Sequence, residues 1–205
     1  MKLSELFPLQ FCINLDERTD RWESVTKEFA KLDITPKRFS AIGNIQNPAL
    51  GCYQSHLTLL RKARELQQNI LIFEDDILLI NDYQNIIESA LDELVKLDWQ
   101  MIYFGGNILK PFYQMTDHLG KLTHCQSTHS YAINSDFLDE LVPFIEKQAF
   151  YIDMLYSDVC PQRNCFITLP MVMLQKVGYS DIEHQEVNYD YTLDRFNQNL
   201  IRMEK

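Results

Sequence analysis

The stretch Asn69-Ile-Leu-Ile-Phe-Glu-Asp-Asp-Ile77 limits what this chain can fold into more than any other. Four apolar residues, Ile70 to Phe73, predict a strand buried on both faces, and hence a central sheet covered by helices. That strand runs directly into Glu74, Asp75 and Asp76. Acids at the C-terminal end of such a strand fall in the crevice where open α/β sheets bind ligands. Three adjacent carboxylates repel one another unless a cation or hydrogen-bond donors compensate them. Hard divalent ions such as Mn²⁺ or Mg²⁺ suit an oxygen cluster of this kind, above all when a diphosphate completes the coordination. An acidic, solvated turn is the plainer alternative. Glu74 and Asp76 lie two apart, which on extended backbone puts both on one face. Asp76 is therefore the expected metal ligand, with Glu74 in support and Asp75 pointing away.

The flanking pattern alternates strands with helices. Gln10–Leu15 predicts a first strand, and Trp22, Val25, Phe29 and Leu32 recur at helical spacing after a cap at Thr19 or Asp20. Lys37–Ile42 predicts a second strand, Gly43–Gly51 a loop, and Cys52–Leu66 a helix leading into the acidic strand. Helices are expected over Ile86–Leu97 and from a cap at Ser135 or Asp136 to Glu146, and strands over Trp99–Phe104 and Ser130–Asn134. Residues 107–128 suggest a hairpin turning near His118–Lys121. Phe166–Leu174, with Pro170 inside it, predicts an edge strand or two short ones, and the tail from Asp190 a short helix. With no repeat or linker, residues 1–205 form one α/β domain, a mixed, mostly parallel sheet flanked by helices.

Charge narrows the partners. Nineteen basic residues against twenty-nine acidic give a net charge of −10, which argues against nucleic acid and against electrostatic attachment to anionic lipid. No apolar run suggests a signal peptide or a transmembrane segment, so a cytoplasmic protein is expected. The five cysteines, Cys12, Cys52, Cys125, Cys160 and Cys165, are expected as free, packed thiols. Cys160 and Cys165 lack a matching second pair, which argues against zinc.

Several pieces together resemble glycosyltransferase family 25, the lipopolysaccharide and procollagen galactosyltransferase family. Asn14-Leu-Asp-Glu-Arg-Thr-Asp-Arg21 resembles its "NLxxRxDR" opening, Gly51-Cys-Tyr-Gln-Ser-His56 its "GCxxSH" motif, and Glu74-Asp-Asp76 its "EDD" signature. Met101–Gly105 is similar to its "D-x-I-Y-L-G" strand, and His129–Ile133 to "T-x-x-Y-x-I-S". Tyr151-Ile-Asp153 is similar to "P-V-D", and Gln175 with Ser180–Glu183 to "P-x-x-x-x-Q…SDxE". These lie in order across nearly the whole chain, and ordered context is what gives a motif weight. The resemblance implies a GT-A-like, Rossmann-like fold and a metal-dependent, inverting transfer, typically of galactose from UDP-galactose, to a saccharide. Two departures stand out. Ile42-Gly43 replaces the usual Asp-Gly, and the loop after it is short, as in compact microbial members.

Roles follow from the resemblance and from the residue chemistry. Asn14, Arg21, Ser55, His56, Glu74, Asp75, Tyr131, Gln175 and Asp181 are expected around the UDP-sugar donor. Tyr103, Tyr131 and Gln175 are expected to line the sugar pocket. Plainer alternatives are a surface ion pair for Arg21, a helix cap for Ser55, a buried hydrogen-bonded histidine for His56, and strand packing for Tyr103 and Tyr131. Asp153, a carboxylate between Ile152 and Met154, is the expected general base for the acceptor hydroxyl; its alternative is a helix N-cap. Asp181 and Glu183 are further candidates for base or acceptor contacts. His184 is expected as an additional metal ligand, by analogy with the late histidines of GT-A enzymes. The acceptor, a surface glycan such as lipopolysaccharide, could bring peripheral membrane contact if it is lipid-linked. A degenerate member that binds a nucleotide-sugar without turnover, and an unrelated α/β nucleotide enzyme, remain as alternatives.

Overall fold

A computed structural model describes residues 1–44, 46–148, 151–181 and 184–202. A short helix α1 (Leu3–Leu6) leads into β1 (Leu9–Asn14), α2 (Thr19–Lys31) and β2 (Lys37–Ser40). Then come α3 (Pro48–Leu66), β3 (Ile70–Glu74), β4 (Ile77–Leu79), α4 (Tyr83–Leu94) and β5 (Met101–Tyr103). Short strands follow, β6 (Asn107–Ile108), β7 (Phe112–Gln114), β8 (Leu119–Lys121), β9 (Cys125–Gln126) and β10 (Ser130–Ile133). Two helices, α5 (Ser135–Glu146) and α6 (Ile152–Val159), precede β11 (Cys165–Thr168) and β12 (Met173–Gln175). The chain closes with β13 (Gly178–Ser180), β14 (Gln185–Val187), α7 (Tyr191–Asn199) and β15 (Leu200–Ile201).

Nine strands form one mixed sheet in the order β15-β7-β8-β11-β5-β10-β3-β1-β2. β1, β2 and β3 run parallel, Phe11 facing Ile72 and Lys37 in register, whereas β10 is antiparallel to both β3 and β5. The period of two along each strand divides the core. Phe11, Ile13, Ile70, Ile72, Tyr103 and Tyr131 pack with α3, α5 and α6 on one face. Cys12, Leu71, Phe73, Ile102, Phe104 and Ala132 pack with α2 and α4 on the other. β3 is fully buried from Ile70 to Phe73, as a strand between two helical layers must be.

Element boundaries moved where side chains competed for caps. α3 begins at Pro48, with Asn47 as cap accepting from Leu50 N, so the expected loop loses its last residues to a helix opened by proline at its first position. Asn134, not Ser135 or Asp136, caps α5, accepting from Asp136 N at 3.0 Å. Arg18, not Thr19 or Asp20, stands at the cap position of α2, and it binds both carboxylate oxygens of Asp20. α4 spans Tyr83–Leu94. The hairpin turns between Gln114 and Leu119, because Gly120 is taken up by strand pairing with Gln114 and Ile167. β11 is interior rather than at an edge; it ends at Thr168, so Pro170 falls outside the ladder and removes none of its hydrogen bonds.

Glu93 ties α4 to the β7–β8 hairpin, accepting from His118 N at 2.9 Å, from Thr116 Oγ1, and binding His118 Nδ1 at 2.8 Å. Burial raises its pKa, but the bonds from Thr116 and His118 outweigh burial and leave it below the ordinary value. A depressed carboxyl stabilises the fold above its unfolded pKa and loses that contribution as pH falls. Glu93→Ala is expected to cost roughly 2–3 kcal/mol in urea unfolding at pH 7, with the cost shrinking below about pH 4.

Candidate functional site

The C-terminal ends of β1 and β3 lie side by side, Ile13 opposite Glu74 in register, and their last residues open into the site. Gly51, Ser55 and the loop after β2 explain part of the glycine–cysteine–histidine motif on purely structural grounds. Ser55 Oγ donates to Gly51 O and accepts from Ile42 N, each at 2.8 Å. A Cβ on Gly51 would sit 2.2 Å from the Ile42 carbonyl oxygen, so only glycine lets that loop cross the helix. Ser55 lies in the third turn of α3, wholly buried, and is neither a cap nor a free donor.

The three carboxylates meet three different surroundings. β3 ends at Glu74, and Asp75 and Asp76 form a turn before β4, so the alternation expected of extended backbone stops there. Glu74 faces α3 and the segment before β10: Thr128 Oγ1 donates to its Oε1 at 2.6 Å, and His56 Nε2 lies 3.4 Å from the same oxygen. Burial pushes Glu74 up, but His56 and Thr128 pull it below the usual carboxylate range. Asp75 faces α2, accepting from Asn14 Nδ2 at 2.6 Å and from Arg21 Nη1 at 2.8 Å. Burial nonetheless leaves its pKa raised. Asp76 faces β12, where Gln175 Nε2 donates to its Oδ2 at 3.3 Å, brought there by the pairing of β12 with β4.

Asp76 is the uncompensated member of the trio. Among the described residues its Oδ1 is buried without a partner, and burial together with the charges of Glu74 and Asp75 pushes its pKa up to about 7. A buried unpaired oxygen of raised pKa is what a hard cation would neutralise, so Asp76 fits the expected Mn²⁺ or Mg²⁺. The expected further ligand His184 is exposed, at φ 54° in the turn before β14. Among the described residues the three-membered group with metal-ligand spacing is Cys52, His56 and Glu74, and it contains neither Asp76 nor His184.

Other expected residues are engaged by the protein itself. Asn14 Oδ1 accepts from Arg38 Nε, and Arg21 Nη2 donates to the Tyr179 carbonyl. Arg18 Nη1 donates to Asp181 Oδ2 at 2.6 Å, so Arg18 and Arg21 together hold the β13–β14 hairpin against α2. Glu183 lies outside the described residues. Tyr131 OH bonds His56 Nδ1 at 2.7 Å and Tyr156 OH at 3.0 Å, a chain running into the core. Asp153 is no N-cap; it sits in the first turn of α6, accepting from Met154 N at 2.8 Å and Ser127 N at 3.3 Å. Burial raises its pKa, and the nearby charge of Glu74 adds to the rise. Thr128 and Arg38 escaped sequence reading because nothing in their local spacing marks them; their partners are 54 and 24 residues away.

A carboxyl whose pKa is raised on folding weakens the fold above that pKa, and the penalty fades as pH falls toward the unfolded value. Asp76→Asn is therefore expected to raise the melting temperature of metal-free protein at pH 8. At about 2–4 °C per kcal/mol for a chain of this size, the gain should be readable by calorimetry and should vanish by about pH 4.

No curated protein matches the chain. Among solved structures, a UDP-glucose pyrophosphorylase complexed with UDP-glucose is similar at a TM-score of 0.44 and 7% identity, covering 87% of this chain and 72% of that one. The family that the motifs resemble is also the one whose model the chain matches: residues 43–135, which carry Gly51–His56 and Glu74–Asp76, match glycosyltransferase family 25 (LPS biosynthesis protein).

Proposed function

We propose that this chain transfers a sugar from a UDP-activated donor, galactose from UDP-galactose in the simplest case, with inversion, to a saccharide such as a lipopolysaccharide-type surface glycan. The family match over residues 43–135 carries this reading. The geometry supports it through acids, an asparagine and arginines gathered where the parallel strands β1 and β3 end, the usual place for a ligand in an open α/β sheet. No helix among the described residues is long and apolar enough to cross a membrane.

Each residue has a defined task in this reading. Asp76, backed by Gln175, would hold Mn²⁺ or Mg²⁺, which when bound neutralises the charge of the diphosphate leaving group. Arg21 and Arg18 would exchange their contacts with the hairpin for donor oxygens, and Asn14 and Asp75 would keep Arg21 aimed. Asp153 would accept the acceptor hydroxyl proton, its raised pKa making it a better base than a surface carboxylate.

Differential scanning fluorimetry with UDP, UDP-galactose and UDP-glucose, each with and without Mn²⁺, tests the donor site. A ligand binding only the folded state raises the midpoint by mass action. Stabilisation by a UDP species that needs Mn²⁺ and disappears in Asp76→Asn is the expected result; no shift with any nucleotide would sink the reading. Asp153→Asn is expected to retain that shift while lowering kcat by roughly 10²–10⁴-fold. If wild-type protein binds donor but consumes none with any glycan acceptor, the chain is a binding member, in line with Ile42 standing where the family has an acid.

A further inference from the structure

Cys52 and His56 lie four apart on α3 and so share one helix face. Glu74 reaches the same point from the end of β3. The thiol sulfur, an imidazole nitrogen and a carboxylate oxygen of these three residues all lie within 4.8 Å of one another. His56 is completely buried, and among the described residues its Nε2 has no hydrogen-bond partner. Its other nitrogen is bonded to Tyr131, which is itself bonded to Tyr156. That chain fixes the ring, so Nε2 is held facing Glu74 Oε1 at 3.4 Å.

The distance is informative. It is long for a charge-assisted hydrogen bond, which runs to about 2.7–2.9 Å. It matches the spacing of two ligands around a tetrahedral zinc ion, which bond lengths of about 2.0–2.1 Å and a tetrahedral angle put at roughly 3.3 Å. A histidine oriented through its second nitrogen by a hydrogen bond is also the usual arrangement of a metal ligand.

We propose that Cys52, His56 and Glu74 form a three-ligand seat for a thiophilic divalent cation, Zn²⁺ in the first instance, separate from the hard-cation position at Asp76. One sulfur, one nitrogen and one oxygen suit zinc and exclude magnesium and calcium, which take oxygen donors. Cys52 and Glu74 are only half-buried, so the fourth position opens outward and takes water. On binding, the Cys52 thiol gives its proton to solvent and the thiolate bonds the metal. The seat uses Glu74, so an occupying zinc ion would hold that carboxylate toward α3 and away from a metal at Asp76. The inference does not depend on the transferase reading.

Cobalt titration of metal-stripped full-length protein, without nucleotide, tests it. One equivalent of Co²⁺ is expected to give a thiolate-to-cobalt charge-transfer band and the strong visible bands of four-coordinate cobalt. Zn²⁺ should erase both, and Mg²⁺ should not. The charge-transfer band should be lost in Cys52→Ser and kept in Asp76→Asn. Absence of a thiolate band, or its survival in Cys52→Ser, would overturn the proposal. A second measurement needs no variant. Cys52 is the one cysteine not fully buried, so iodoacetamide should label it first. Stoichiometric Zn²⁺ is expected to slow that labelling about tenfold or more, by withdrawing the free thiolate that reacts, and an unchanged rate in Zn²⁺ would count against the seat. Donor binding by fluorimetry reports on the transferase reading separately, and either result can fail without the other.

Discussion

Three negative charges at the exit of a fully buried strand cannot all be left to solvent, and the architecture around β3 is arranged by how each is compensated. Glu74 takes a hydroxyl from Thr128 and the imidazole edge of His56. Asp75 takes an amide and a guanidinium. Among the described residues Asp76 takes one weak amide contact and keeps a bare buried oxygen. Charges brought this close in a low-dielectric setting must pair or change protonation. Two of the three pair, although burial still raises Asp75, and the third is pushed up to about 7. The imbalance matters for function because at Asp76 an added hard cation would neutralise a buried charge rather than compete with existing partners.

The helix motif Gly51–His56 divides its work between two faces. Gly51 and Ser55 receive the loop that follows β2, one by having no Cβ and the other by a hydroxyl that both gives and accepts. Cys52 and His56, one residue further along each, turn toward the strand-end acid. Tyr53 donates to Ile145 O and binds α3 to α5. Six consecutive residues thus fix a loop, a neighbouring helix and the orientation of a carboxylate, which explains why the same motif looks like packing when read from one side and like chemistry when read from the other.

Both arginines near the end of β1 are spoken for in a way that suits exchange. Arg18 and Arg21 reach across to the β13–β14 hairpin through an ion pair at Asp181 and a bond to a backbone carbonyl. Such partly exposed contacts are worth little individually. Anionic ligand oxygens could replace them at small cost, whereas the buried Asn14–Asp75–Arg21 set could not be dismantled without leaving charge unpaired.

The class of the fold was legible in residues 70–76, because an apolar run too short for a helix and closed by acids is a local pattern with few solutions. The order of strand, helix and strand at the start was legible for the same reason. Motif resemblance found the family that the match over residues 43–135 supports. What the chain alone did not determine was which way each acid points. The alternation rule predicted Glu74 and Asp76 as partners; the backbone turned at Asp75 and sent them to different neighbours. Asp76 met Gln175, 99 residues away, because β12 pairs with β4, and His184 was left exposed on a turn. Cys52, taken as a packing thiol, met Glu74 across the gap between a helix and a strand. Local spacing dictates which side chains share a face of one element. Only the packing of elements against one another decides which faces meet, because that is set by burial of the whole core and not by any one segment.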